Sequence, residues 1–411
     1  MVSLSCQNSK INYFQVPKEI EKLVFDYVKA WSERDVDYIT QNIYGEPFVL
    51  FLEDTTIFLN DFENIKITPI CNGAFSSFAA MTSSYLKLKP LILIYWTIAI
   101  ILDKILFRKQ SNLGHYWRHF IKILVFPIQV YLIKKFSRKY PNSVFYAHSM
   151  YYIWLARFAG IDYVGRPQGS DVLIKPFKSL IFKILSRDAI NNSKAIIVDS
   201  YSMYKALKKF SNVNKVFVIP NGIDLDSINK LLKLNSKKNN RQAIISIRGL
   251  SDLYKIHEIL LSRASNLNSL NIPIQFIYPF YEINYKKSLQ KLFISGDKDQ
   301  SRLSKIDMYK NFLRAKLVIS IPCSDSSPRS VYEAIFCGAI VAITYNDYYE
   351  NFPNSIKARV IIVDINNKGW FYDAINKADT LLKEPFAPCK KALKLFDQNQ
   401  TFNEMAKVIF K

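Results

Sequence analysis

Residues 316–344 read KLVISIPCSDSSPRSVYEAIFCGAIVAIT. The runs 316–321 and 339–344 are short and apolar, and between them Ser326-Ser327-Pro328 opens a helix. Strand, loop, helix and strand in that order form the repeating unit of a parallel sheet covered on both faces. The same alternation extends outward. Strands are expected at 48–52, 65–70, 143–147, 163–166, 195–199 and 215–219, then at 243–247, 273–278 and 359–363. A polar, lysine- and asparagine-rich patch at 234–242 separates the two sets and reads as a hinge. The expected fold class is α/β, with two facing doubly wound Rossmann-like domains. The first would span 1–225 and the second 240–385, with a helical segment at 386–411 expected to pack back on the first. A chain of 411 residues suits two cores better than one.

Composition removes several classes. With 49% apolar and 22% charged residues, the chain has the hydrophobicity that disordered chains lack. Cys6, Cys71, Cys323, Cys337 and Cys389 form no CxxC pair, which argues against a disulfide scaffold or a cysteine zinc site. The four histidines, at 115, 119, 148 and 257, are too few and too scattered for a histidine-rich metal centre. No GxGxxG occurs, and the Walker-like string from Gly160 to Gly165 continues into Arg166-Pro167 instead of Lys-Ser/Thr. Asp224-Leu225-Asp226 and Asp297-Lys298-Asp299 have DxD spacing, but the first belongs to a turn just after a strand and the second reads as a polar loop.

The net charge of +22 calls for an anionic partner. Between Lys87 and Arg157, twelve Lys/Arg face one acid, Asp103, in the most apolar part of the chain. The uncharged run 91–102 (LILIYWTIAIIL) would make a helix of about 18 Å, short of a ~30 Å hydrocarbon core. Apolar side chains with tryptophan, tyrosine and flanking bases describe a segment lying in a membrane interface. Lys134, Lys135, Arg138 and Lys139 are the expected membrane contacts. The aromatics sit inside aliphatic runs, so nucleic acid is not expected as a partner. The start, MVSLSCQNSKINYFQ, lacks the basic and apolar regions of a secretory signal, and the basic surplus favours the inner leaflet. The expected location is cytoplasmic, peripheral on the inner face of the cell membrane.

Ligands of open α/β sheets sit beyond the carboxyl ends of strands. After the run 316–321, Ser327 or Ser326 can cap the helix whose first turn carries Arg329, Ser330 and Val331, and N–H groups there favour a phosphate. Asp325 on the loop and Glu333 in the helix can accept hydrogen bonds from a hydroxyl-rich ligand. Asp325-x7-Glu333, followed by Ala334-x3-Gly338, resembles the E-x7-E signature of retaining glycosyltransferases of family 4, which have the GT-B fold. Three further stretches are similar to that family. Pro220-Asn221-Gly222-Ile223-Asp224 resembles its interdomain "PNGVD" turn, where glycine would permit a positive φ. Arg166-Pro167-Gln168-Gly169-Ser170-Asp171-Val172 resembles its "HGxD" loop, with Gln168 at the histidine position, and His148 resembles a histidine after the preceding strand. Arg248 and Lys255 resemble the family's arginine and lysine on the donor diphosphate.

The resemblance covers roughly 140–345. It implies that Arg248, Lys255, Asp325 and Glu333 are the catalytic set, with Asp325 on the donor sugar and Glu333 on the ribose. Ser327, Arg329, Ser330 and Val331 would join them in holding the donor, and His148, Gln168, Gly169, Ser170 and Asp171 would line the acceptor side. The implied reaction is sugar transfer from a nucleotide-diphosphate sugar to a lipid-linked glycan or polyprenyl-phosphate acceptor at an anionic membrane, as in surface polysaccharide synthesis. No cofactor and no metal is implied, the nucleotide sugar being a co-substrate. The departures at Asp325, Gln168 and Lys255 leave a second reading, a transferase-like subunit that binds a partner or lipid without catalysing.

Overall fold

The computed structural model describes residues 49–52, scattered helical positions between 123 and 138, 144–234, 241–301 and 303–409. The expected strand at 65–70 and the apolar run 91–102 lie outside the described residues. The chain divides into two compact units. The first comprises residues through Val198, Tyr204–Phe217 and Met405–Lys411; the second comprises Asp199–Met203 and Val218–Glu404.

The first unit is built on β1 (Val49–Leu52), β2 (Val144–His148), β3 (Tyr163–Arg166), β4 (Ala195–Val198) and β5 (Val216–Val218), adjacent in that order. Helices α1 (Met150–Ala159), α2 (Gly169–Leu173), α3 (Lys175–Lys178), α4 (Leu180–Asn191) and α5 (Tyr201–Lys208) connect them. β3 and β4 are buried along their whole length, as runs covered on both faces should be.

In the second unit the chain runs through α6 (Leu225–Leu234), β6 (Ala243–Ile247), α7 (Ile256–Ala264), β7 (Ile274–Ile277), α8 (Ile283–Gln290) and β8 (Lys298–Ser301). It continues with α9 (Lys305–Arg314), β9 (Ala315–Ser320), α10 (Arg329–Phe336), β10 (Ile340–Ile343), α11 (Asn354–Lys357), β11 (Val360–Ile362), α12 (Trp370–Leu381), α13 (Lys390–Phe396) and the part of α14 (Gln398–Ile409) that precedes Met405. The six parallel strands lie in the order β11-β10-β9-β6-β7-β8. Strand side chains alternate between two cores, as a period of two requires. Ile245, Ile247, Val341 and Ile343 join the cluster with α9 and α10, while Ile244, Ile340 and Ala342 join the one with α7 and α12. Chain order reverses between β6 and β9, and such a switch point opens a crevice at the strands' carboxyl ends. Both motif loops of this unit, at Arg248 and at Asp325, leave from those two strands.

Two expectations need correction. Residues 298–301 form a strand, not a loop: KDQS sits at the sheet edge, largely exposed, where polar side chains suit an edge and leave no apolar run to recognise. Gly222 is not needed for a positive φ, since its backbone does not adopt one. A Cβ there would lie 2.5 Å from Gln398 Cα and 2.9 Å from Gln398 N. The glycine permits close approach of two backbones, which Ile223 and Phe396 fix through an N–H to carbonyl bond of 2.8 Å.

Candidate functional site

Arg248 leaves the end of β6 with φ 141°, a conformation L-residues rarely adopt. Its Nε donates to Ser320 Oγ at 2.7 Å, and its Nη2 forms an ion pair with Asp325 Oδ2. Ser320 ends β9 and Asp325 follows it, so one guanidinium ties both sides of the switch point together. Asp325 Oδ1 accepts the N–H of Ser326 at 2.9 Å. Burial pushes the phenols of Tyr254 and Tyr348 up, and the charges of both Arg248 and Asp325 act on each ring.

Lys255 also has positive φ, 48°, at the N-cap of α7, and is half-buried. Non-glycine residues in such conformations cost of order 1–3 kcal/mol and tend to gather at functional sites. Two of the four in the described chain are the two cations expected on a diphosphate.

Ser327 does not cap α10 as expected. Pro328 stands at the N-cap without a side-chain bond, and Ser327 Oγ instead accepts the N–H of Asn221 at 2.9 Å and meets Tyr332 Oη at 3.1 Å. Asn221 Nδ2 also donates to the Ser327 carbonyl at 3.0 Å. The two motifs separated by a hundred residues in sequence are thus bonded to each other within this unit. Arg329 and Ser330 begin α10, half-exposed, whereas the Val331 side chain is wholly buried and its N–H closes on the Pro328 carbonyl. Glu333 lies a turn further in, buried, and its Oε1 accepts from Tyr309 Oη at 2.9 Å. Burial and the Glu333 charge both raise the Tyr309 phenol, which remains a donor.

In the first unit, β2 and β3 bring His148 and Arg166 into register. The loop after β3 holds Gln168, Gly169 and Ser170 at the start of α2. Asp171 is buried. Its Oδ2 accepts the N–H groups of Met150 at 2.9 Å and Gln168 at 3.2 Å, and its Oδ1 meets Lys175 Nζ at 2.7 Å. It clasps the loops after β2 and β3 together, a positioning role for the residues expected on the acceptor side. Lys134 and Arg138 lie exposed on helical backbone, and Lys135 and Lys139 fall outside the described residues.

Ser320, Tyr254, Tyr309, Tyr332 and Tyr348 were not anticipated around the site. The partners of Ser320 and Tyr309 are distant in sequence, Tyr332 meets Ser327 five residues away, and only the strand-end position of Ser320 gave any signal. Three of the four acids with DxD spacing are engaged structurally, and Asp226 is exposed. Asp224 accepts the N–H of Ser227 at 3.0 Å, Asp297 pairs with buried Arg263 at 2.7 Å, and Asp299 pairs with Lys286 at 2.8 Å.

The switch point of this Rossmann-type unit, where Arg248 is tied to Ser320 and Asp325, is the place at which open α/β sheets hold their ligands. The model of Glycosyltransferase Family 4 matches residues 108–227, under a third of the chain. No curated protein matches the sequence. Among solved structures, the chain is similar to Anabaena Alr3699/HepE in complex with UDP, at 15% identity and TM-score 0.55, covering 68% of this chain and 81% of that one. It is also similar to Burkholderia multivorans α,α-trehalose 6-phosphate synthase, at 9% identity and TM-score 0.54, covering 77% and 78%. Sucrose-phosphate synthase from Thermosynechococcus elongatus gives 11% identity and TM-score 0.52, covering 69% and 78%. At such identities these likenesses establish the fold, two Rossmann-like units of GT-B type.

Proposed function

We propose that the protein is a retaining, metal-independent glycosyltransferase that moves a sugar from a nucleotide-diphosphate sugar to a lipid-linked acceptor. The observation that carries the reading is the Arg248–Asp325 pair across the β6/β9 switch, with Glu333 one turn into the adjoining helix. Arg248 and Lys255 would stabilise the charge that grows on the departing diphosphate, an effect that is usually the largest catalytic term. Asp325 would accept from donor-sugar hydroxyls and Glu333 from the ribose. The bond from the anomeric carbon to phosphate oxygen breaks as the acceptor oxygen attacks the same face. The acceptor proton passes to the leaving phosphate, so no protein base is required and Gln168 is compatible with turnover.

The basic, apolar stretch around Lys134, Lys135, Arg138 and Lys139 supports a lipid-borne acceptor and a peripheral site on the inner membrane face. Exposure of Lys134 and Arg138 suits that role. The likeness to a protein solved with UDP makes uridine diphosphate the first nucleotide to test. Calorimetry with UDP, GDP, ADP and CMP should show tight binding of one diphosphate, weakened at least tenfold (about 1.4 kcal/mol) by Glu333→Ala. Folded wild type that binds none of them would overturn the reading in favour of a non-catalytic subunit.

A further inference from the structure

The segment that follows the clasped loop of the first unit carries apolar side chains into solvent. Phe177 on α3 is 51% exposed, and on α4 Leu180, Ile181 and Ile184 are 72%, 74% and 47% exposed. On α4, Leu180, Ile181 and Ile184 share one side of the helix, with Phe177 two residues before its N-cap, and the opposite side of α4 buries Ala189 and Ile190. The helix is held in place beneath. Ser179 Oγ caps it through the N–H of Phe182 at 3.3 Å, and the Phe182 ring meets Trp154 edge-on with centroids 4.9 Å apart. Among the described residues Leu180, Ile181 and Ile184 face outward from a firmly seated helix, and the half-exposed Phe177 ring meets Phe210 with centroids 6.3 Å apart.

Charge selects the occupant. Lys178 and Arg187 are exposed beside these residues and Lys183 is half-exposed. From Val172 to Arg187 the chain has no acid, and Asp188 is taken by Arg157 at 2.8 Å. An exposed edge of apolar side chains with bases beside it and no acid in the segment matches an anionic bilayer, into which such side chains sink while the bases stay among headgroups. At twelve residues α4 is about 18 Å long, which suits lying in the interface and falls short of crossing it.

We infer that the α3–α4 edge, Phe177, Leu180, Ile181 and Ile184 with Lys178 and Arg187, docks the first unit on an anionic lipid surface. This edge starts six residues after Asp171, so docking would bring the loop at Gln168 beside the headgroups. It adds a contact distinct from the stretch at 134–139 and rests on the transferase reading only for its purpose. Its test reads lipid binding and can fail while nucleotide binding stands.

The full chain is sedimented with vesicles of phosphatidylglycerol and phosphatidylcholine, and with phosphatidylcholine alone. Wild type should bind the anionic vesicles. Leu180→Ser/Ile181→Ser/Ile184→Ser and, separately, Lys178→Glu/Arg187→Glu should each lower vesicle affinity at least tenfold. Unchanged sedimentation of either variant would overturn the inference, as would failure of wild type to bind anionic vesicles. A serine variant that instead shifts the oligomeric state in light scattering would also overturn it, identifying the edge as a contact between copies. Because the replaced side chains are exposed, circular dichroism and melting should match wild type, and the charge-reversed variant reads the same surface without touching its apolar residues.

Discussion

The Tyr309 hydroxyl donates to Glu333 Oε1 at 2.9 Å, joining α9 to α10 beneath the loop that carries Asp325. The tyrosine is fully buried and the glutamate nearly so. A buried carboxylate deprived of a donor keeps its desolvation cost, about 1–3 kcal/mol. Tyr309→Phe should therefore lower unfolding stability by about that amount in urea titrations. It should also weaken nucleotide binding less than Glu333→Ala does, because the carboxylate remains. Equal loss in both variants would show that Tyr309 sets the position of Glu333.

Asp325 neutralises Arg248, the cation expected on the diphosphate. Removing that negative charge should leave the guanidinium more available to phosphate while taking away an acceptor for sugar hydroxyls. We expect Asp325→Asn to bind the free nucleoside diphosphate as tightly as wild type or a few-fold tighter, and to transfer sugar at least tenfold more slowly. Loss of nucleotide affinity in that variant would mean that the pair positions Arg248 instead of restraining it.

Arg263 and Asp297 form a buried pair in which Nη1 reaches both carboxylate oxygens, at 2.7 and 2.9 Å. The same carboxylate accepts the N–H groups of Ile274 and Ile294. Breaking one side of such a pair costs about 3–5 kcal/mol, because an uncompensated charge stays buried. Asp297→Ala should destabilise the second unit by that order, read as a fall in the urea midpoint, with no recovery on adding Mg2+ or Mn2+. Stabilisation of wild type by a divalent ion that is lost in the variant would restore metal chemistry to the DxD motif.

Strands buried on both faces were legible where they are short apolar runs, as β4, β6, β9 and β10 are. β8 was not, because KDQS at a sheet edge carries no apolar signature. At the site, Asp325 and Glu333 were visible through their spacing, since one loop and one helix fix it. Tyr309 was not, because its partner is reached through the packing of α9 against α10. Ser327 was assigned to a cap by local preference, which the tertiary bond to Asn221 overrode. Gly222 was correctly singled out for the wrong reason: crowding by a second backbone leaves no mark within the pentapeptide itself.

Two glycines separate rigid from yielding surroundings. At Gly222 an added Cβ meets the backbone of Gln398, which is held by the N–H bond to the Ile223 carbonyl at 2.9 Å. At Gly249 it meets the ring of Phe280, a half-exposed side chain able to turn aside. Overpacking that a neighbour cannot relieve costs about 1–3 kcal/mol or more. Gly222→Ala should therefore destabilise by at least that order and loosen the Asn221–Ser327 contact, lowering nucleotide affinity as well. Gly249→Ala should cost less, and Phe280→Ala in the same chain should recover most of the loss. Similar melting temperatures for the two single variants would show that α14 yields to the turn, and that the glycine's role there is not close approach.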